Sequence, residues 1–223
     1  MKNLSIVKLF PIWKGQTAVV IGNGPSLTPE DVLCVRVHRT IAINKAWELA
    51  GFADILYGCD PKWWHSAGGA PGFCGYKLQH IHKERAEDIE KGVYREHTGQ
   101  STVLPFSGID CVMSNGSDGF EYDPRYIRHG GNSGYQAVHI AMHLGAKKII
   151  LLGFDMGYDL DSHWFGAYPG RQHTDKGFFG EWIPKFDALK IAADNLGIDI
   201  VNCSRKTNLH CFRKSDLKNE IQA

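Results

Sequence analysis

Five short polar residues, Asn23, Ser26, Asn44, Asp60 and Asp155, each follow an apolar run by a few positions. Amide and hydroxyl groups there can hydrogen-bond the hydroxyls and ring edges of a bound molecule, and the two carboxylates can hold a hydroxyl or a divalent cation. A second group, Gly130-Gly131-Asn132-Ser133-Gly134, opens an apolar stripe at helical spacing and offers backbone N–H groups to an anion. Capping by Asn132 or Ser133, with glycines for the turn, would leave the same signature. A third group, His163 and His173, lies in the polar stretch Asp159 to Lys176 with Asp161, Trp164, Tyr168 and Asp175. Histidine exchanges a proton near neutral pH, so a general base is sought there, in a long loop suited to act as a lid. The combined chemistry is that of holding a phosphorylated ligand while one proton moves.

The elements that must position these residues are legible around them. Thr17 to Asp31 reads as a buried strand, a glycine-rich turn and a helix start. Thr28 suits the N-cap, Pro29 the first helical position, and Glu30 and Asp31 the positive helix end. The turn Gly22-Asn23-Gly24-Pro25-Ser26-Leu27 lacks the third glycine of a dinucleotide fingerprint and the Gly-Lys-Ser/Thr of a phosphate loop. The second strand ends in Asn44 where a dinucleotide site would carry an acid.

Apolar runs at 18–22, 40–44 and 54–59 alternate with helix-like stretches, the pattern of a mostly parallel sheet. Ala137, Val138, Ala141 and Leu144 mark a helix that stops at Gly145 and feeds a strand over 149–152. A last helix over about 183–196 leads into a strand over 198–202, and the polar tail after Cys211 is expected to fray. The stretch from Trp63 to Arg128 shows no sustained period and is expected to be an irregular insertion on the sheet's carboxyl side, with extended pieces at 93–97 and 102–106. In a parallel sheet all the polar strand ends reach one rim, where ligands of open α/β sheets bind. Asn44 is then placed for a ribose or base, and Asp60 for a ribose hydroxyl or a metal.

With 223 residues and no evident linker, one domain over 1–223 is expected. The 25 basic and 24 acidic side chains leave no net field for nucleic acid or an anionic membrane. No run approaches the roughly 20 apolar residues of a membrane span, so a cytoplasmic protein is expected. Six cysteines without a Cys-x-x-Cys pair suggest reduced, structural thiols. His139 and His143 share a helical face but lack the zincin glutamate, which favours a solvated face over a metal site. Trp63 and Trp64 suit a stacking platform or the core equally.

The loop Gly22 to Leu27, Asn44 at a strand end, Ser133-Gly134 at a helix start and Gly153-Phe154-Asp155 resemble the small bacterial sialyltransferases that use CMP-linked sialic acid. Related domains occur in flagellin-modifying glycosyltransferases and in archaeal hydroxymethylpterin diphosphokinases. The resemblance covers the two sheet units, about half of the chain, and implies a Rossmann-like α/β fold with a parallel sheet flanked by helices. It implies a nucleotide-sugar donor held by the loop from Gly22 and Gly24 to Ser26, by Asn23 and Asn44, and by Ser133, a hydroxyl acceptor, and no required cofactor; Asn132 and Gly134 join that site through the helix start itself. His173 is the family-like base, with His163 the alternative. Two departures stand out: Asp60 replaces an asparagine, and the phosphate-steadying tyrosines are out of register, Tyr158 being displaced. The pair Asp60 and Asp155 keeps open a Mg²⁺-dependent diphosphate transfer from ATP to a pterin-like alcohol. A nucleotide-binding module without turnover is the third reading.

Overall fold

The computed structural model describes residues 5–91, 107–157, 163–166 and 176–221. They form a sheet of nine parallel strands: β1 (Thr17–Ile21), β2 (Arg39–Ile43), β3 (Ile55–Gly58), β4 (Tyr76–His82), β5 (Asp110–Ser114), β6 (Tyr126–Ile127), β7 (Lys148–Leu152), β8 (Asp199–Asn202) and β9 (Arg213–Lys214). Their order is β6-β5-β4-β3-β2-β1-β7-β8-β9. The chain winds outward from β1 to β6, then returns to the other flank of β1 with β7. The strand order therefore reverses between β1 and β7, and in open α/β sheets the ligand crevice lies outside the carboxyl ends near such a point.

Both faces of this sheet are covered, so its central strands are continuous apolar runs rather than alternating ones. Ala18, Val20, Ile149 and Leu151 face one core, shared with α4 (Ser133–His143) and α6 (Lys185–Asn195). Val19, Ile21, Ile150 and Leu152 face the other, with Val32 of α1 (Pro29–Cys34) and Trp63 and Trp64 of α2 (Pro61–Ser66). Both tryptophans are buried there, and Trp64 Nε1 donates to Gly58 O at 3.0 Å, so they belong to the core and not to a stacking platform. Thr28 caps α1 by accepting from Asp31 N, and Asn132 caps α4 by accepting from Tyr135 N. Among the described residues no helix is long and apolar enough to cross a membrane. All six cysteines are free.

Two expectations change. Residues 63–128 are no irregular insertion where described: they supply α2, β4, α3 (Lys83–Glu90), β5 and β6. Lys77, Gln79, His80 and His82 break the apolar run of β4, and β6 is only two residues long, so neither carries a strand pattern. The expected extended pieces at 93–97 and 102–106 lie outside the described residues. The tail is ordered rather than frayed, for Arg213 in β9 bonds Asp199 at 2.7 Å and Glu220 at 2.6 Å, with Glu220 in α7 (Leu217–Ile221). Lys148 also reaches Glu220 at 2.7 Å. Hydrogen bonds from Arg213, Lys148 and Ser215 hold that carboxyl far below its ordinary range.

Candidate functional site

The loop after β1 is stitched onto the end of β7. Gly22 N donates to Leu152 O at 2.7 Å and Gly24 N to Gly153 O at 2.8 Å. A methyl group at Gly22 would stand 2.6 Å from Gly153 O, and one at Gly24 would stand 2.1 Å from Asp155 Oδ1. Close backbone approach is thus the reason for both glycines. Ser26 completes the seam, its N–H donating to Asp155 Oδ2 and its hydroxyl to Oδ1, each at 2.8 Å. Burial raises the Asp155 pKa and the Ser26 bonds oppose that shift. Both carboxylate oxygens are therefore engaged in shaping the loop.

Asn23 is also tied inward. Its Nδ2 donates to Ile43 O at 2.8 Å, bracing the end of β2, while Oδ1 accepts from Trp164 Nε1 at 3.3 Å. Asn44 differs. It sits at φ +48° at the start of a 3-10 turn (Asn44–Glu48), and its buried Oδ1 has no hydrogen-bond partner among the described residues. A buried acceptor left unpaired costs about 1–3 kcal/mol, which a ligand donor can recover. Gly58 lies beside that oxygen, where a Cβ would come within 3.0 Å of it.

Across the crevice, the Ser133 hydroxyl accepts from Cys59 N at 3.2 Å and fastens the start of α4 to the end of β3. Gly134 is required by packing, since a Cβ there would meet Phe154 at 2.9 Å. The first-turn N–H groups of Ser133 and Gly134 have no acceptor within the helix ladder, and α4 runs for eleven residues, enough for its amino end to favour an anion. In contrast α1 has only six residues, and its first turn carries Glu30 and Asp31, the latter bound to Arg205 at 2.9 Å. Of the two helix ends, that of α4 is the one suited to an anion. Asp60 caps α2 by accepting from Lys62 N at 2.7 Å. Among the described residues no group of three or more His, Cys, Asp or Glu is placed to hold a metal.

The segment 163–166 folds over the loop after β1: Trp164 N donates to Asn23 O at 3.0 Å, and Lys45 Nζ lies 4.6 Å from the Phe165 ring centre. His163 stacks on Phe165 at 4.9 Å, which puts it at the rim of the crevice. His173 and Tyr158 lie outside the described residues.

His139 is buried and His143 half-buried beside it, so the pair is not on a solvated face; their ring centres are 4.9 Å apart and Phe120 stacks on His139. Burial, first of all, lowers both pKa values. His139 Nδ1 accepts from Arg128 N at 3.3 Å, and its Nε2 faces Glu121 O at 3.3 Å. The pair anchors the 115–128 loop.

Sequence reasoning missed a cluster on the same rim, beyond β3. His80 and His82 occupy one face of β4, Ser114 is the register partner of His82, and His129 approaches from the turn before α4. Ring centres are 4.5 Å apart for His80 and His82, 5.3 Å for His82 and His129, and 6.3 Å for His80 and His129. The signal was His80-Ile81-His82, two imidazoles at strand spacing just before a helix start.

No family model matches the chain, and no curated protein does. Two solved structures share the architecture. The MAf glycosyltransferase from Magnetospirillum magneticum AMB-1 superposes with a TM-score of 0.55 at 15% identity, over 96% of this chain and 36% of that one. The sialyltransferase CstII from Campylobacter jejuni, solved with the substrate analogue cytidine-5'-monophosphate, gives a TM-score of 0.52 at 11% identity, over 90% of this chain and 85% of that one. Both are glycosyltransferases of this fold. The chain spans little more than a third of the Magnetospirillum protein.

Proposed function

We propose that this protein transfers a sugar from a nucleotide-sugar donor, of the CMP type, to a hydroxyl acceptor. The observation that carries the reading is the Asn44 Oδ1 atom, buried at the end of β2 beside Gly58 and without a partner among the described residues, on the carboxyl rim that also carries the β1 loop and the amino end of α4. In that reading a nucleoside hydroxyl or amino group donates to Asn44, and the phosphate lies against the N–H groups of Ser133 and Gly134. Gly22, Gly24 and Ser26 shape the loop, with Asn23 and Asp155 as its braces. The likeness to two glycosyltransferase folds supports transfer as the reaction class.

Displacement needs one base for the acceptor, and the resemblance assigns that role to His173, with His163 next. No metal is required in this reading, because both oxygens of Asp155 serve Ser26 and Asp60 caps a helix. A thermal-shift panel of CMP, UDP, GDP, ATP and ATP with Mg²⁺ tests it. A ligand at 100 times its Kd stabilises by about 2.7 kcal/mol, so the preferred nucleotide stands out. Stabilisation by CMP in EDTA supports the proposal, whereas stabilisation only by ATP with Mg²⁺ moves it to diphosphate transfer.

A further inference from the structure

Beside the donor crevice, β4 and β5 end in a hydrogen-bonded chain of imidazoles. His80 Nε2 lies 2.8 Å from Ser114 Oγ, and Ser114 Oγ lies 3.2 Å from His82 Nδ1. A hydroxyl has one proton, so Ser114 donates to one ring and accepts from the other. When Ser114 donates to His80, His82 carries its proton on Nδ1 and presents a bare Nε2. His129 is fixed in the complementary form: its Nδ1 accepts from Gly131 N at 3.2 Å, which leaves the ring proton on Nε2. In that tautomer one half-buried ring offers a proton acceptor and its neighbour a donor, with centres 5.3 Å apart. A hydroxyl group is the ligand that satisfies both.

The cluster shares its parts with the donor crevice. β4 lies next to β3 in the sheet, with Gly58 paired to Gln79, so His82 projects three residues past that level on the same rim. His129 precedes Ser133 by four residues, and its carbonyl accepts from Gln136 of α4 at 2.6 Å. We propose that His82 and His129 form the acceptor-hydroxyl site, with His82 as the catalytic base and Ser114 and His80 as positioning residues.

This inference rests on the transfer reading and names a base different from His173. In the step, His129 Nε2–H donates to the acceptor oxygen while His82 Nε2 removes its proton. The oxygen forms a bond to the anomeric carbon, the bond from that carbon to the nucleotide phosphate breaks, and the phosphate oxygen keeps the electron pair. Ser114 Oγ accepts from Nδ1–H of the resulting imidazolium, which later loses its proton to solvent. Burial, above all, lowers the pKa of all three histidines; His82 and His129 add to this at His80, and His82 and Lys185 at His129, where Asp118 opposes, as Glu84 does at His82. The shifts favour the neutral ring, the form in which His82 Nε2 has a lone pair to offer.

The test measures CMP affinity, and CMP release from CMP-linked sialic acid with glycerol as acceptor, for the parent, H82Q, H129N, S114A, H163A and H173A. His82→Gln should slow release by about 10²–10⁴-fold, with CMP affinity within about twofold of the parent. His129→Asn, at the turn, should raise the KM for glycerol more than it lowers kcat. Ser114→Ala should also shift the tautomer balance of His82 in ¹⁵N spectra, which a merely structural serine would not do. Parental release by His82→Gln, loss confined to His173→Ala, or unchanged His82 tautomers in Ser114→Ala would each overturn the assignment. If the parent neither binds CMP nor releases it, the donor reading fails by itself. Glycerol then decides the cluster, since shifts at His82 and His129 support a hydroxyl site and their absence overturns it.

Discussion

The carboxyl rim of this sheet has two halves built from different materials. Over β7, β1 and β2 the site is mostly backbone and short side chains: Gly22, Gly24 and Ser26 are locked to Gly153 and Asp155, and Asn44 holds one oxygen without a partner among the described residues. Over β4 and β5 it is imidazole and serine, groups that exchange protons. A rigid cradle can recognise a phosphorylated ligand without titrating, while chemistry needs groups whose protons move. In the proposed reading this is a division of labour, donor on one half and acceptor on the other.

The largest effect should come from breaking the cradle. Gly24→Ala places a methyl group 2.1 Å from Asp155 Oδ1 and 2.7 Å from Gly153 O. Overpacking of this kind costs about 1–3 kcal/mol, and nucleotide binding should be lost with it. Thermal melting and calorimetry on the variant check both parts, and wild-type values for either would contradict the seam.

Next comes acid. His80, pushed down to about 3, and the buried His139 stay neutral in the folded chain while unfolded histidines protonate below about pH 6.5. The unfolded state then binds more protons, so stability is full above that pH and falls as the pH drops from 7 to 5. Each such histidine contributes a slope of about 1.4 kcal/mol per pH unit once its unfolded form is charged. Denaturant melts at pH 7 and pH 5 measure this, and H80Q should flatten the slope.

The Thr28 and Asn132 caps, the apolar runs of β1 and β7 and the polar strand ends were legible because each follows from local chemistry: a capping oxygen, a doubly buried strand, a turn former. The locking partners were not. Asp155 reaches Ser26 across 129 positions, and Ser133 reaches Cys59 across 74, pairings that only the sheet order creates. The histidine cluster stayed hidden for the same reason, and because Gln79, His80 and His82 disguise β4 as a loop. Asn23 and Ser133 looked like free ligand contacts in the sequence. Asn23 also ties the β1 loop to the end of β2, and Ser133 the start of α4 to the end of β3, so Asn23→Ala and Ser133→Ala should lower stability by about 0.5–1.5 kcal/mol besides weakening nucleotide binding.

The smallest effect separates the donor readings. Asp60→Asn keeps an N-cap of equal quality, so stability and metal-free CMP binding should hardly change. A loss of ATP binding in Mg²⁺ alone would instead give Asp60 a metal.

Calorimetric titration of CMP in EDTA into the parent and Asn44→Ala tests the central claim most directly. The parent should bind one equivalent. The variant should remain folded and bind about 3- to 10-fold more weakly, the worth of one hydrogen bond of about 0.5–1.5 kcal/mol. Equal affinity in the two proteins, or no binding of CMP to the parent, would contradict a nucleotide donor held at Asn44 on the carboxyl rim of the sheet.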